Sequence, residues 1–179
     1  MPGTVKILPH YTYEDYVQWE GKWELIDGIP HAMSPAPVPT HQFIANTLGA
    51  LFYLALKQCK HCKAYQAIDY KIAEDTILQP DISILCQPTS KKFIDFSPAL
   101  VVEILSPSTS LKDRYTKSNL YKQQNIPYYL IVSPDTEETE VYVLEGSEYI
   151  MKEKSTNFQF SFQFNEDCKA TIDFSEIWK

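Results

Sequence analysis

Ala99-Leu100-Val101-Val102-Glu103-Ile104-Leu105, followed at once by Ser106-Pro107-Ser108-Thr109-Ser110, is the stretch that decides the fold. It is the most apolar segment of the chain, and such a run belongs to a strand placed centrally in a sheet with both faces covered. The Ser/Thr/Pro break ends the strand and supplies helix-capping hydroxyls, so a helix is expected from Leu111 to about Gln124, stopped by Asn125-Ile126-Pro127. Tyr128 to Val132 reads as the next strand. Strand, helix and strand together make a unit that crosses over right-handed into parallel pairing. The expected fold class is α/β of the mixed α+β kind: a central mixed sheet flanked by helices.

The pattern extends in both directions. Thr12 with Asp15 resembles a capping arrangement for a short helix carrying Tyr13, Tyr16, Val17 and Trp19. Strands at Trp23 to Ile26 and Ile29 to Met33 flank Asp27-Gly28, a dipeptide suited to a tight hairpin. Ser34-Pro35-Ala36-Pro37-Val38-Pro39 reads as a loop, and from His41 to about Lys57 apolar residues recur at helical spacing. Short strands follow at Ala64 to Ala67, Tyr70 to Ala73, Ile77 to Gln79 and Ile82 to Cys86, with Pro80-Asp81 bending the entry to the last. Beyond Tyr128 to Val132, strands are expected at Glu140 to Leu144 and, at sheet edges, Tyr149 to Lys154, Gln159 to Phe164 and Lys169 to Ile172.

With 179 residues and 44% hydrophobic content, the chain has the composition of one ordinary folded domain, 1–179. Its net charge of -7 argues against a surface coated in basic residues for non-specific nucleic-acid or membrane binding, and leaves room only for a confined cationic groove. Cys59, Cys62, Cys86 and Cys168 are too few and too scattered to frame a small secreted scaffold, and are read as reduced. No apolar run approaches the roughly 18 to 20 residues that cross a bilayer, so the expectation is a soluble, cytoplasmic protein without a membrane partner.

Glu103 organises the chemistry, because a carboxylate within an apolar central strand is costly to bury unless it is paired or binds a metal. Asp81, at the start of the preceding apolar strand, can meet it at one end of the sheet if the two strands are neighbours. Two such acids suit a hard divalent cation such as magnesium. The alternatives are a turn cap for Asp81 and a buried ion pair for Glu103. Lys117 lies within roughly 60° of Leu120 and about 40° of Tyr121 on a helical wheel, which directs it inward toward the carboxylates. An exposed i, i+4 pair with Asp113 is the competing placement.

Gln79-Pro80-Asp81, Val101 to Thr109, Asp113-Arg114-Tyr115-Thr116-Lys117 and Tyr128-Tyr129-Leu130-Ile131-Val132 resemble successive blocks of the Uma-two family, classed with endonucleases of the PD-(D/E)xK restriction-endonuclease-like superfamily. Glu24-Leu25-Ile26-Asp27-Gly28, Met33-Ser34-Pro35 and His41 match the same pattern upstream, and the resemblance spans about residues 12 to 150. It implies a restriction-endonuclease-like fold, Asp81 and Glu103 as ligands of Mg2+ or Mn2+, and DNA as substrate. In the superfamily's commonest arrangement the lysine stands two residues after the second acid, a position held here by Leu105; the resemblance implies that Lys117, on the following helix, takes its place. Glu24 and His41 enter as auxiliary site residues, with a hairpin salt bridge and a helix cap as their structural alternatives. Alanine at Asp81, Glu103 or Lys117 is then expected to abolish cleavage and leave the fold intact. Two rival functions are a catalytically silent member that binds nucleic acid or a protein, and a hydrolase of a smaller phosphoester.

Other motifs read as structure. Cys59-Lys60-His61-Cys62 resembles half of a zinc site, but without a second knuckle it is a helix end followed by a loop. Phe158, Phe160, Phe162 and Phe164 alternate strictly, giving one apolar face that either completes the core or pairs two copies into a homodimer. The groups Lys57, Lys60, Lys63 and Lys91-Lys92 are read as solvated surface, with phosphate contact as the alternative.

Overall fold

The computed structural model describes residues 8–33, 38–107 and 110–179. Of the loop expected at Ser34 to Pro39, residues 34–37 lie outside those described, as do the capping hydroxyls of Ser108 and Thr109, while Pro39 is already the first residue of a helix. Helix α1 (Tyr13–Tyr16) opens with the expected cap, Asp15 accepting from both the amide and the hydroxyl of Thr12. Strands β1 (Trp23–Ile26) and β2 (Ile29–Ala32) form the expected hairpin. Its turn needs positive φ at both central residues, 49° at Asp27 and 73° at Gly28.

Helix α2 (Pro39–Ala55) is followed by β3 (Lys63–Gln66), β4 (Tyr70–Ala73), β5 (Thr76–Leu78), β6 (Ile82–Leu85) and β7 (Leu100–Ile104). Helix α3 (Ser118–Gln123), β8 (Tyr128–Ser133), β9 (Glu138–Glu145), β10 (Glu148–Ser155), β11 (Gln159–Asn165) and β12 (Cys168–Asp173) complete the order, before a closing 3-10 turn at Phe174–Trp178. A six-stranded sheet, ordered β10-β9-β8-β7-β6-β3, holds β7 at its centre, with β7 and β8 parallel and every other neighbour antiparallel. The mixed sheet and its strand-helix-strand unit thus follow the sequence expectation.

Burial alternates along the central strand as its two covered faces require. Leu100, Val102 and Ile104 face the layer of α2, where Ile44, Leu48 and Phe52 are fully buried; Val101 faces the layer that contains Tyr121 and Tyr129 of the following helix and strand. A smaller sheet, ordered β2-β1-β5-β4, lies on that second side, with Ile26, Tyr70 and Leu78 in the same apolar layer. The alternating phenylalanines in and just before β11 complete the core: Phe162 is fully buried, and Phe158, Phe160 and Phe164 pack against the α2 layer.

Two expectations are corrected. The helix expected from Leu111 to Gln124 is interrupted by a π-helical turn over Lys112–Lys117, with α-helical residues on both sides of it. The cysteines, expected to be reduced, are paired as disulfides, Cys59 with Cys168 and Cys62 with Cys86. Register explains the second pair: Lys63 stands opposite Leu85 in the β3·β6 ladder, so positions 62 and 86, one step beyond, face each other with Cα atoms 3.9 Å apart. Cys168 begins a strand that packs against α2, and Cys59 lies just past the end of that helix. Spacing of 109 and 24 residues hides both neighbourhoods from the sequence. With its sulfurs so engaged, the Cys59 to Cys62 segment is not half of a zinc site, and cysteine usage no longer argues for a reducing compartment. Among the described residues, no helix is long and apolar enough to cross a membrane.

Candidate active site

The antiparallel ladder of β6 on β7 pairs Ile82 with Val102, and one step further lie Asp81 and Glu103. Proline at position 80 cannot donate to the ladder, so the chain bends into β6 there and Asp81 turns its side chain to the neighbouring strand. One carboxylate oxygen, Oδ2, accepts the amide of Ile104 at 2.7 Å, and His41 Nε2, from the first turn of α2, lies 3.4 Å from the same oxygen. Asp81 is 21% exposed, the most open carboxylate of the group. Burial pushes the His41 imidazole down, but hydrogen bonding and attraction to Asp81 hold it above its ordinary value.

Glu103, almost wholly buried, points to the opposite sheet face from Val102. Both of its oxygens accept from Lys117 Nζ at 3.0 Å, and Oε1 accepts from the Tyr121 hydroxyl at 2.5 Å. The Lys117 ammonium is 3% exposed and also lies 2.7 Å from Glu24 Oε1 and 3.4 Å from Asp113 Oδ1. Glu24, on β1, has no exposed surface; its carboxylate accepts the Gln79 amide at 3.0 Å and Lys112 Nζ at 2.5 Å.

Five residues singled out from the sequence therefore lie in one neighbourhood. Glu24, Glu103 and Lys117 are in direct contact, and Asp81 and His41 adjoin them at the end of β7. Lys117 reaches the carboxylates, and its pair with Asp113 forms too, but on the buried side of the helix and not on the exposed face that the competing placement requires.

Electrostatics follow from the crowding. Burial pushes Glu103 well above the usual carboxylate range; Lys117 opposes this, while Asp113, Asp81 and Glu24 reinforce it. Burial acts the same way on Glu24, but the ammoniums of Lys117 and Lys112 outweigh it and leave that acid lower than normal. For Lys117, burial favours the neutral amine, yet the surrounding carboxylates prevail and hold the ammonium well above the ordinary lysine value. Burial and the nearby Glu103 and Glu24 charges push the Tyr121 phenol well up, so it remains a hydrogen-bond donor.

Sequence reasoning missed Lys112. At 100° per residue, positions 112 and 117 stand about 140° apart on an α-helix. The i→i+5 bonding of the π-turn winds more residues into each turn, which brings the two lysines to one side and lets both reach Glu24. Tyr121 carried a usable signal, four residues after Lys117 on the same helical face. Gln79 acts through its backbone, which residue type does not reveal.

The donor set suits a hard divalent cation, since every acidic group offers oxygen and four carboxylates stand against two ammoniums. Among the described residues, however, no three histidine, cysteine or acidic side chains are already arranged to hold a metal ion. Lys117 instead fills the space between Glu24, Glu103 and Asp113.

The mixed sheet with its flanking helices is of the restriction-endonuclease-like class of fold. A crystal structure described as a "putative nuclease belonging to DUF820" from Anabaena variabilis superposes with a TM-score of 0.76 at 16% identity, over 93% of this chain and 97% of that one. The chain belongs to the Uma2 family, whose model, described as "Putative restriction endonuclease", matches residues 13–163. It is also 34% identical over 150 residues to uncharacterized protein slr1290 of Synechocystis, with 75% of each chain covered.

Proposed function

We propose that the protein is a metal-dependent endonuclease that hydrolyses phosphodiester bonds of DNA. The observation that carries this reading is the charge balance at the end of β6 and β7. Four carboxylates, Asp81, Glu103, Glu24 and Asp113, gather there with Lys112 and Lys117 and, beside Asp81, His41, an acidic excess that a divalent cation would offset. Asp81 and Glu103 would hold Mg2+ or Mn2+, which when bound supplies Lewis-acid polarisation of a phosphate oxygen.

The chain's own residues divide the remaining work. The raised proton affinity of Lys117 makes it a poor base at neutral pH, so it positions Glu103 and balances charge rather than deprotonating water. Tyr121 fixes the Glu103 carboxylate from the other side. Lys112, 18% exposed, is the ammonium nearer to solvent and is placed to meet a substrate phosphate. His41 orients Asp81 through its oxygen Oδ2.

Asp81 is the clean test of the site because it is the least buried of the acids. Asp81→Asn is expected to reduce magnesium-dependent cleavage of plasmid DNA at least 100-fold with an unchanged far-ultraviolet dichroism spectrum. Equal cleavage by this variant sinks the assignment. Turnover of a small phosphodiester at the rate seen with DNA would favour the narrower phosphoester hydrolase.

A further inference from the structure

Fifteen lysines and arginines lie within the described residues, and nine of them form ion pairs. The six that form none among those residues are not scattered evenly. Lys22 and Lys169 stand apart in the sequence, but Lys57 and Lys60 lie in the segment that leads from α2 to Lys63 at the start of β3, and Lys92 follows in the loop after Cys86. No acidic residue occurs from 57 to 68 or from 86 to 94, so in a chain of net charge -7 these loops form a cationic island. Lys60, His61 and Lys63, all exposed, line a cleft of about 190 Å³ with Tyr65, Gln87 and Thr89. The Cys62 to Cys86 and Cys59 to Cys168 disulfides tie these loops to each other and to β12, which holds the cations in place.

The island is connected to the site by one strand. Paired residues on neighbouring strands share a sheet face. Tyr65 pairs with Ser83, and Ser83 with Val101, so Lys63, Tyr65 and Leu85 lie on the face that also bears Glu103. Edge strand β3 runs from Lys63 in the cleft to Gln66, and the amide of Ala67 just beyond donates to the Asp81 carbonyl at 3.1 Å. Four residues of strand span about 13 Å, the length of about four nucleotides along one strand of a duplex.

We propose that the cleft of Lys60, His61 and Lys63, with Lys57 three residues upstream in the chain, is a phosphate-backbone contact that holds nucleic acid along edge strand β3 about four nucleotides from the Asp81 and Glu103 site. The proposal rests on the nuclease reading and names the surface that grips its substrate. It gives an acidic protein the confined cationic contact that non-specific backbone binding requires.

Fluorescence anisotropy of a labelled 20-base-pair DNA in EDTA, across 50 to 300 mM salt, tests it. Each phosphate contact removed lowers the slope of log affinity against log salt by about 0.9. A Lys57→Gln, Lys60→Gln, Lys63→Gln variant is therefore expected to lose a slope of about 2 to 3 and at least tenfold in affinity at 0.1 M salt. A Lys22→Gln, Lys169→Gln variant, also stripped of unpaired cations, should change the slope by less than 1. The proposal is overturned if the triple variant binds like the wild type, if the control variant loses as much, if the wild type shows no salt-dependent DNA binding, or if the triple variant loses affinity only for anionic lipid vesicles. Parallel cleavage assays separate the two readings. Wild-type protein that binds through the island but cuts no nucleic acid leaves the contact standing and removes the nuclease; protein that cuts normally with the triple variant binding unchanged does the reverse.

Discussion

At Lys117 a single ammonium meets three carboxylates in a space closed to water, and this changes what substitution there would do. The sequence suggested that alanine at Lys117 would spare the fold. Removing the cation leaves Glu24, Glu103 and Asp113 as buried, mutually repelling acids, and breaking a buried pair in this way costs about 3 to 5 kcal/mol. Lys117→Met is expected to lose stability on that scale in urea denaturation, whereas Asp81→Asn should lose less than about 1 kcal/mol; equal small losses would show that the network carries little energy. A second, part-buried pair sets an acid limit. Arg114 donates to both oxygens of Glu140 at 2.9 Å, and Tyr142 donates to one of them. Burial pushes Glu140 up, but these hydrogen bonds outweigh it and hold the acid below its ordinary 4.5. A lowered folded-state value means that the stabilisation is complete above about pH 4.5 and disappears as pH falls through the lower folded value. Glu140→Gln should cost about 1 to 3 kcal/mol at pH 7 and flatten the loss of stability below pH 4.5. A variant with the wild-type acid profile would exclude Glu140 from that limit.

Among elements, the strands were the most readable. The β7 run announced its central position because only a strand covered on both sides can be apolar at every position but one, and the hairpin at Asp27-Gly28 was announced by turn chemistry. The alternation of Phe158 to Phe164 fixed which residues share a face but not what covers that face. The structure covers it with α2, and the Phe162 ring lies tilted against that of Phe52, with centroids 5.9 Å apart. Phe162→Ala is accordingly expected to destabilise by about 3 to 5 kcal/mol, measured by thermal or chemical unfolding; a neutral change would return the face to the homodimer reading. The π-turn was invisible to a 3.6-residue periodicity. Its extra residue per turn serves the site, since it is what delivers Lys112 and Lys117 to the same carboxylate.

For the whole molecule, the two disulfides join segments that the chain separates by 24 and 109 residues, closing loops whose entropy in the unfolded chain is worth about 3 to 5 kcal/mol each. Reduction is expected to lower the urea midpoint by a matching amount, and an unchanged midpoint would show that the sulfurs are not bonded in solution. The sequence by itself determined the mixed sheet, the parallel pairing of β7 with β8, the resemblance to the Uma-two family, and the acids and lysine of the candidate site. Those properties depend on local periodicity, turn chemistry and residue type, which can be read one segment at a time. Only the tertiary structure decided the sulfur pairing, the burial of Glu24, the entry of Lys112 and the gathering of unpaired lysines at the far end of β3. Each of these depends on which distant segments share a register or a face, and register is set by the packing of the whole sheet rather than by any one strand.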